Sequence, residues 1–188
     1  MSAVAIIPAR GGSVRIPRKN IRLFHGKPII AYGIESAKES GLFDEIVVST
    51  DDDEIASVAR SYGLREQDIV PRSAAMCGDD IGTQEVAKHA LEWLHKRGRV
   101  FDYACCIYAT TPMLFAADLQ AAIRYVYDKE RDYVYAKGTF YYGASKIFLD
   151  RPDDFTKSKT MNEGRFIDID TEEDWRKAEQ MYASLHKV

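Results

Sequence analysis

Short apolar, β-rich runs alternate with amphipathic stretches along most of this chain, and that alternation leaves few folds open. "AVAIIP" is followed by "KPIIAYGIESAKES" closed by Gly41, then by "EIVVST", then by "DDEIASVARSY" closed by Gly63. "DIV", a polar loop, "TQEVAKHALEWLHKRG", "YACCIY", "AADLQAAIRYVYDK" and "DYVYA" continue the series. Apolar residues at helical spacing read as helices and the compact runs as strands. Five strands with intervening helices predict an α/β protein whose parallel sheet is covered on both faces. Local signals agree: Pro28 reads as a first-turn helix residue, Gly41, Gly63 and Gly98 as helix stops, and "STDD" (Ser49–Asp52) as an N-cap cluster.

After Lys137 the regularity weakens. "GTFYYGASKIFLD" reads as a strand plus a short helix, "RPDDFTKSKTMNEG" as loop, and "TEEDWRKAEQMYASLHK" as a final helix. No repeat, low-complexity tract or linker divides the chain, and 188 residues suit one domain over 1–188. The net charge of −3 argues against a general nucleic-acid binder, so any positive site must be local. The start "MSAVAIIPARGG" has no cationic leader, and nowhere do about eighteen apolar residues run together. The expectation is a cytoplasmic protein with no membrane span. Cys77, Cys105 and Cys106 have no CxxC spacing and read as small hydrophobes, not as a disulfide framework or zinc site.

Two constellations carry chemistry. The first is "PARGGSVRIPRKN" (Pro8–Asn20), which follows the first strand and therefore lies at the carboxyl end of the sheet, where open α/β folds bind ligands. It matches neither GxxxxGK[ST] nor GxGxxG, since Gly11 and Gly12 are adjacent and followed by Ser13 and Val14. It offers instead a Gly-Gly-Ser backbone whose N–H groups can approach an anion. Arg10, Arg15, Arg18, Lys19 and Arg22 can neutralise several phosphate charges, a capacity that suits a triphosphate. The plainer alternative is a solvated basic loop.

The second is "IDIDTEED" (Ile167–Asp174). Residues i and i+2 of an extended chain face the same way, roughly 6.5 Å apart, so Asp168 and Asp170 can share one Mg²⁺. The alternative is that Asp170 or Thr171 caps the helix beginning "EEDWRKAE". In "STDD" the simpler role of Asp52 and Asp53 is capping, with metal ligation the alternative. His25, His89, His95 and His186 form no HxxxH or HExxH pair, and Ser13 has no evident base, so histidine and nucleophilic serine mechanisms have little support.

Together, "AIIPARGGSVRIPRKN", "VSTDD", "VPRS" and "DIDTEEDW" resemble the acylneuraminate cytidylyltransferase family. "KNIRLFHGKPIIAYGIESA" and "YATTP" are more similar to its pseudaminic acid branch. The resemblance implies a three-layer, doubly wound, mainly parallel sheet of the nucleotide-diphospho-sugar transferase kind. It implies transfer of CMP from CTP to the anomeric hydroxyl of a nonulosonic acid, pseudaminic acid favoured and sialic acid next, with Mg²⁺ and release of pyrophosphate. The partners are then CTP and a nine-carbon sugar acid, and the assembly a homodimer. On this reading the nucleotide-binding set is Ala9, Arg10, Ser13, Arg15, Lys19, Asn20 and Arg72; the catalytic set is Arg10, Lys19, Asp168 and Asp170; and Asp168 and Asp170 hold the metal. Two departures stand out: Val14 occupies a position usually lysine, which predicts reduced activity, and the dimerisation segment expected between about 136 and 139 is either lost from the protein or missing from this sequence. Transfer to another sugar acid or sugar phosphate, and nucleotide binding without catalysis, are the competing readings.

Overall fold

The strand Ala3–Pro8 (β1) is buried on both sides and lies third in a seven-stranded sheet in the computed structural model, which describes residues 1–78, 80–129, 132–150, 157–161 and 164–186. After the basic loop come a two-residue ribbon, β2 (Leu23–Phe24) with β3 (Lys27–Pro28), and then α1 (Ile29–Ser40). β4 (Glu45–Thr50), α2 (Asp53–Ser61), β5 (Ile69–Pro71), α3 (Thr83–His95), β6 (Tyr103–Ile107) and α4 (Ala116–Lys129) follow in alternation. β7 (Tyr133–Ala136), β8 (Phe140–Ala144), α5 (Ser145–Asp150), β9 (Ser158–Thr160) and α6 (Glu172–Leu185) complete the fold. The sheet order is β5-β4-β1-β6-β8-β7-β9, with β8 antiparallel to both β6 and β7 and every other pairing parallel.

The period-two alternation of side chains makes each central strand serve two layers. Val4 and Ile6 pack with Ala87, Ala90 and Leu94 of α3, whereas Ala5 and Ile7 pack with Ile34 of α1, Ile55 of α2 and Ala122 of α4. Cys106 and Cys105 divide the same way, both fully buried, and all three cysteines are unpaired. A third cluster joins Ile16 of the basic loop, Phe24, Tyr32, Ile169 and Trp175 of α6. The three-layer, doubly wound expectation therefore holds.

The differences are local. Pro28 stands at the N-cap of α1, one residue before the first turn. Gly41, Gly63 and Gly98 all have positive φ just beyond their helices, as helix stops require. The stretch 151–164 contains β9, although 151–156 and 162–163 lie outside the described residues. β7 and β8 are joined by Lys137, Gly138 and Thr139 in a turn closed by Thr139 N–H donating to the Ala136 carbonyl at 3.0 Å.

Candidate active site

β1 leads to β4 and β5 on one side, and β6 returns on the other, so the strand order reverses between β1 and β6. Ligand sites of open α/β sheets form beyond the carboxyl ends of the strands at such a point. A cleft of about 350 Å³ opens there, between Pro8 and Arg10 at the end of β1 and Tyr108 to Thr110 after β6.

The basic loop is shaped by contacts at both ends. Ala9 is buried and prolongs the sheet by donating its N–H to the Ser49 carbonyl at 2.9 Å. Gly11 donates to Asp51 Oδ1 at 2.9 Å, and a Cβ on it would stand 2.5 Å from Asp52 Oδ2. Asn20, 8% exposed, closes the loop by donating Nδ2 to the Arg10 carbonyl at 2.9 Å. Ile16 pins the middle in the third cluster.

Two of the five cations assigned to phosphate are committed elsewhere. Arg18 grips both oxygens of Asp52, at 2.5 and 2.9 Å, and Glu54 at 2.6 Å. Arg22 pairs with Glu172 at 2.5 Å and lies 4.4 Å from the Trp175 ring centroid. These pairings tie the loop to α2 and α6, which a sequence count of charges does not reveal. Asp52 also caps α2, accepting from Ile55 N–H at 2.9 Å, so the capping expectation holds for it; Asp53 is the first residue of the helix. The Arg18 hydrogen bond lowers the Asp52 pKa from 3.8 to about 2.

Opposite the loop, Ile169 is fully buried while Asp168 and Asp170 both line the cleft, as their alternation predicts. Capping of α6 falls to Thr171, whose Oγ1 accepts from Asp174 N–H at 3.2 Å while Asp174 accepts from Thr171 N–H at 2.9 Å. Asp170 is left to the basic loop: Lys19 Nζ reaches it at 3.2 Å and Arg15 at 3.1 Å, and Lys19 also donates to the Ile169 carbonyl at 2.7 Å. Desolvation and then the like charge of Asp170 hold the Asp168 carboxyl above its ordinary value, against Lys19 and Lys137. Two adjacent carboxylates of this kind fit Mg²⁺, which takes one or two protein carboxylates and completes its shell with water and substrate phosphates. Among the described residues no group of three metal-ligating side chains exists.

Arg10, Lys19, Asn20, Arg72, Asp168 and Asp170 thus meet in one cleft. Ala9, Ser13 and Arg15 do not line it; Arg15 reaches its rim only through Asp170. Val14 is 82% exposed. Arg72 donates from Nη1 to the Met76 carbonyl at 3.4 Å, its Nε is buried without a partner, and burial lowers its pKa. Such a desolvated guanidinium is strongly disposed to accept an anion. A larger groove, about 820 Å³, lies beyond Arg72 at the free edge of β5, but its Arg60 and Arg99 are already paired with Glu66 and Asp68.

Sequence reasoning missed Tyr108, Thr110 and Thr83. The first two follow β6 across the reversal point from the basic loop, a signal available in "YATTP". Thr83, whose hydroxyl meets the Tyr108 hydroxyl at 2.9 Å, opens a helix and carries no comparable signal.

Pseudaminic acid cytidylyltransferase of Campylobacter jejuni is 40% identical over 148 residues, covering 79% of this chain and 63% of the relative. N-acylneuraminate cytidylyltransferase A of Danio rerio is 33% identical over 132 residues, 70% of this chain and 29% of the relative. The chain thus spans under two thirds of the length of these relatives. A CMP:2-keto-3-deoxy-manno-octonic acid synthetase solved with CTP superposes with a TM-score of 0.75 over 98% of this chain and 100% of its own, at 16% identity, a likeness of fold. The family model described as "Cytidylyltransferase" matches residues 4–160, from β1 through β9, and shows that the chain belongs to the cytidylyltransferase family.

Proposed function

We propose that the protein transfers CMP from CTP to the anomeric hydroxyl of a nonulosonic acid, pseudaminic acid in preference to sialic acid, and releases pyrophosphate. The observation that carries this reading is the meeting of Arg10, Lys19, Asn20 and Arg72 with Asp168 and Asp170 in one cleft. The anomeric hydroxyl loses its proton to solvent and its oxygen forms a bond to the α-phosphorus as the bond from that phosphorus to the pyrophosphate oxygen breaks, the electron pair leaving with pyrophosphate. Little covalent chemistry is asked of the protein, so its residues act by positioning and by charge. Arg72 and Arg10 bind and orient the nucleotide, and Asn20 keeps the Arg10 backbone in place. Lys19 joins the two ends of the site and offsets the negative charge growing on the leaving group. Asp168 and Asp170 would hold Mg²⁺, which when bound neutralises pyrophosphate and lowers the pKa of the attacking hydroxyl.

The same reading includes a homodimer, to be tested by sedimentation equilibrium, and a cytoplasmic setting, consistent with no described helix being long and apolar enough to cross a membrane. The function is tested by pyrophosphate release from CTP and Mg²⁺ with pseudaminic acid, N-acetylneuraminic acid, an eight-carbon sugar acid and a sugar 1-phosphate. Release is expected with pseudaminic acid above the others, and its loss in Asp168→Ala and Asp170→Ala. Release only with the last two acceptors would move the activity to another sugar. CTP binding without release from any would make the chain a non-catalytic nucleotide-binding subunit.

A further inference from the structure

The turn between β7 and β8 presses its backbone against Asp168. Gly138 has a φ of +65°, and a Cβ there would stand 2.5 Å from both Cβ and Cγ of Asp168 and 2.9 Å from Oδ1. Separations under 3 Å between such atoms cannot be accommodated without movement. The turn has little freedom to retreat. Thr139 is buried, its carbonyl accepts from Tyr108 N–H at 2.8 Å, and its own N–H is bound to Ala136. Tyr108 is itself a wall of the cleft, linked through its hydroxyl to Thr83. Asp168 is equally constrained, because the next residue, Ile169, is fully buried and Lys19 holds its carbonyl.

We propose that Gly138 is a positioning residue for the metal-binding carboxylate: its bare Cα sets where Asp168 stands in the cleft and so couples the metal to the nucleotide. This rests on the reading of Asp168 as a metal ligand. An L side chain at 138 would drive the carboxylate away while leaving Arg10, Asn20 and Arg72 in place. No local sequence pattern marks Gly138, because its partner lies thirty residues away.

The test measures binding of a non-reacting CTP analogue, with a methylene between the α- and β-phosphorus, by calorimetry in Mn²⁺ and in EDTA. Gly138→Asn is the principal variant, since asparagine tolerates a positive φ better than alanine and isolates the effect of the Cβ. The gain in affinity produced by Mn²⁺ is expected to fall roughly tenfold in Gly138→Asn and in Asp168→Ala, with the EDTA affinity of Gly138→Asn within about twofold of wild type. Wild-type Mn²⁺ dependence in Gly138→Asn beside its loss in Asp168→Ala would overturn the role of Gly138 alone. Equal Mn²⁺ dependence in wild type and Asp168→Ala would overturn the metal reading and this inference with it. If Gly138→Asn is too unstable to purify, the double variant Asp168→Gly/Gly138→Asn, in which the clashing atoms are gone, is expected to be recovered folded. Failure of that rescue would also overturn the proposal.

Discussion

Asp52 serves three neighbours at once: it caps α2 through Ile55 N–H, grips Arg18, and fills the space that a Cβ on Gly11 would need. The adjacent glycines that suggest a loop able to approach phosphate are therefore explained in part by this protein contact. The sequence shows the glycines but not the partner, which lies forty-one residues beyond Gly11. Because the Asp52 pKa falls from 3.8 to about 2 on folding, the pairing stabilises the fold above roughly pH 4 and is lost as the pH drops through 2. Arg18 is 40% exposed, so solvent screening limits the contribution to about 1 kcal/mol. Asp52→Asn, which retains a capping oxygen, is expected to lose that increment at neutral pH. Its stability should then change less than that of wild type between about pH 4 and pH 2. Urea unfolding across this range reads the difference, and parallel curves for the two proteins would remove Asp52 from the acid response.

Among the elements, those with a strong period were legible and those fixed by their neighbours were not. The central strands and α1 to α4 follow from apolar spacing, since burial on both faces demands an unbroken apolar run. β9, "SKT", is short, polar and largely open, and only pairing with β7 makes it a strand. The direction of β8 is likewise absent from "FYYGA"; the three-residue turn at 137–139 dictates it, because so short a link can join only antiparallel neighbours. At α6 the capping alternative left open in "IDIDTEED" resolves by division of labour, with Thr171 and Asp174 capping and Asp168 and Asp170 facing the cleft. Thr171→Ala should therefore cost about 1 kcal/mol, a fall in Tm of about 2–4 °C, while Thr171→Ser restores it. The reciprocal bonds make this a property of the helix start, so calorimetric scans of both variants without ligand suffice. An alanine variant as stable as wild type would show that the capping box is dispensable.

At the scale of the whole molecule, the candidate site exists only because the two ends of the chain meet. Lys19 contacts Ile169 and Asp170, and Arg22 contacts Glu172, across about 150 residues. No local pattern announces such a pairing; the resemblance did, and the physical means is the third cluster, where Ile16 and Phe24 pack with Ile169 and Trp175. β1 links the other two layers, since Val4 and Ile6 face one and Ala5 and Ile7 the other. A layer cannot lose its order while the strand it shares keeps its own, so the chain should unfold as one domain in a single transition. The two tryptophans report opposite parts of that unit: Trp93 borders the α3 layer, and Trp175 is buried among the end-to-end contacts. In Trp93→Phe and in Trp175→Phe, fluorescence of the remaining tryptophan and far-ultraviolet circular dichroism should give midpoints agreeing within about 1 °C. If Trp175 fluorescence in Trp93→Phe changed well below the circular dichroism midpoint, the C-terminal segment would be a separately melting unit. The site built on it would then open before the sheet does.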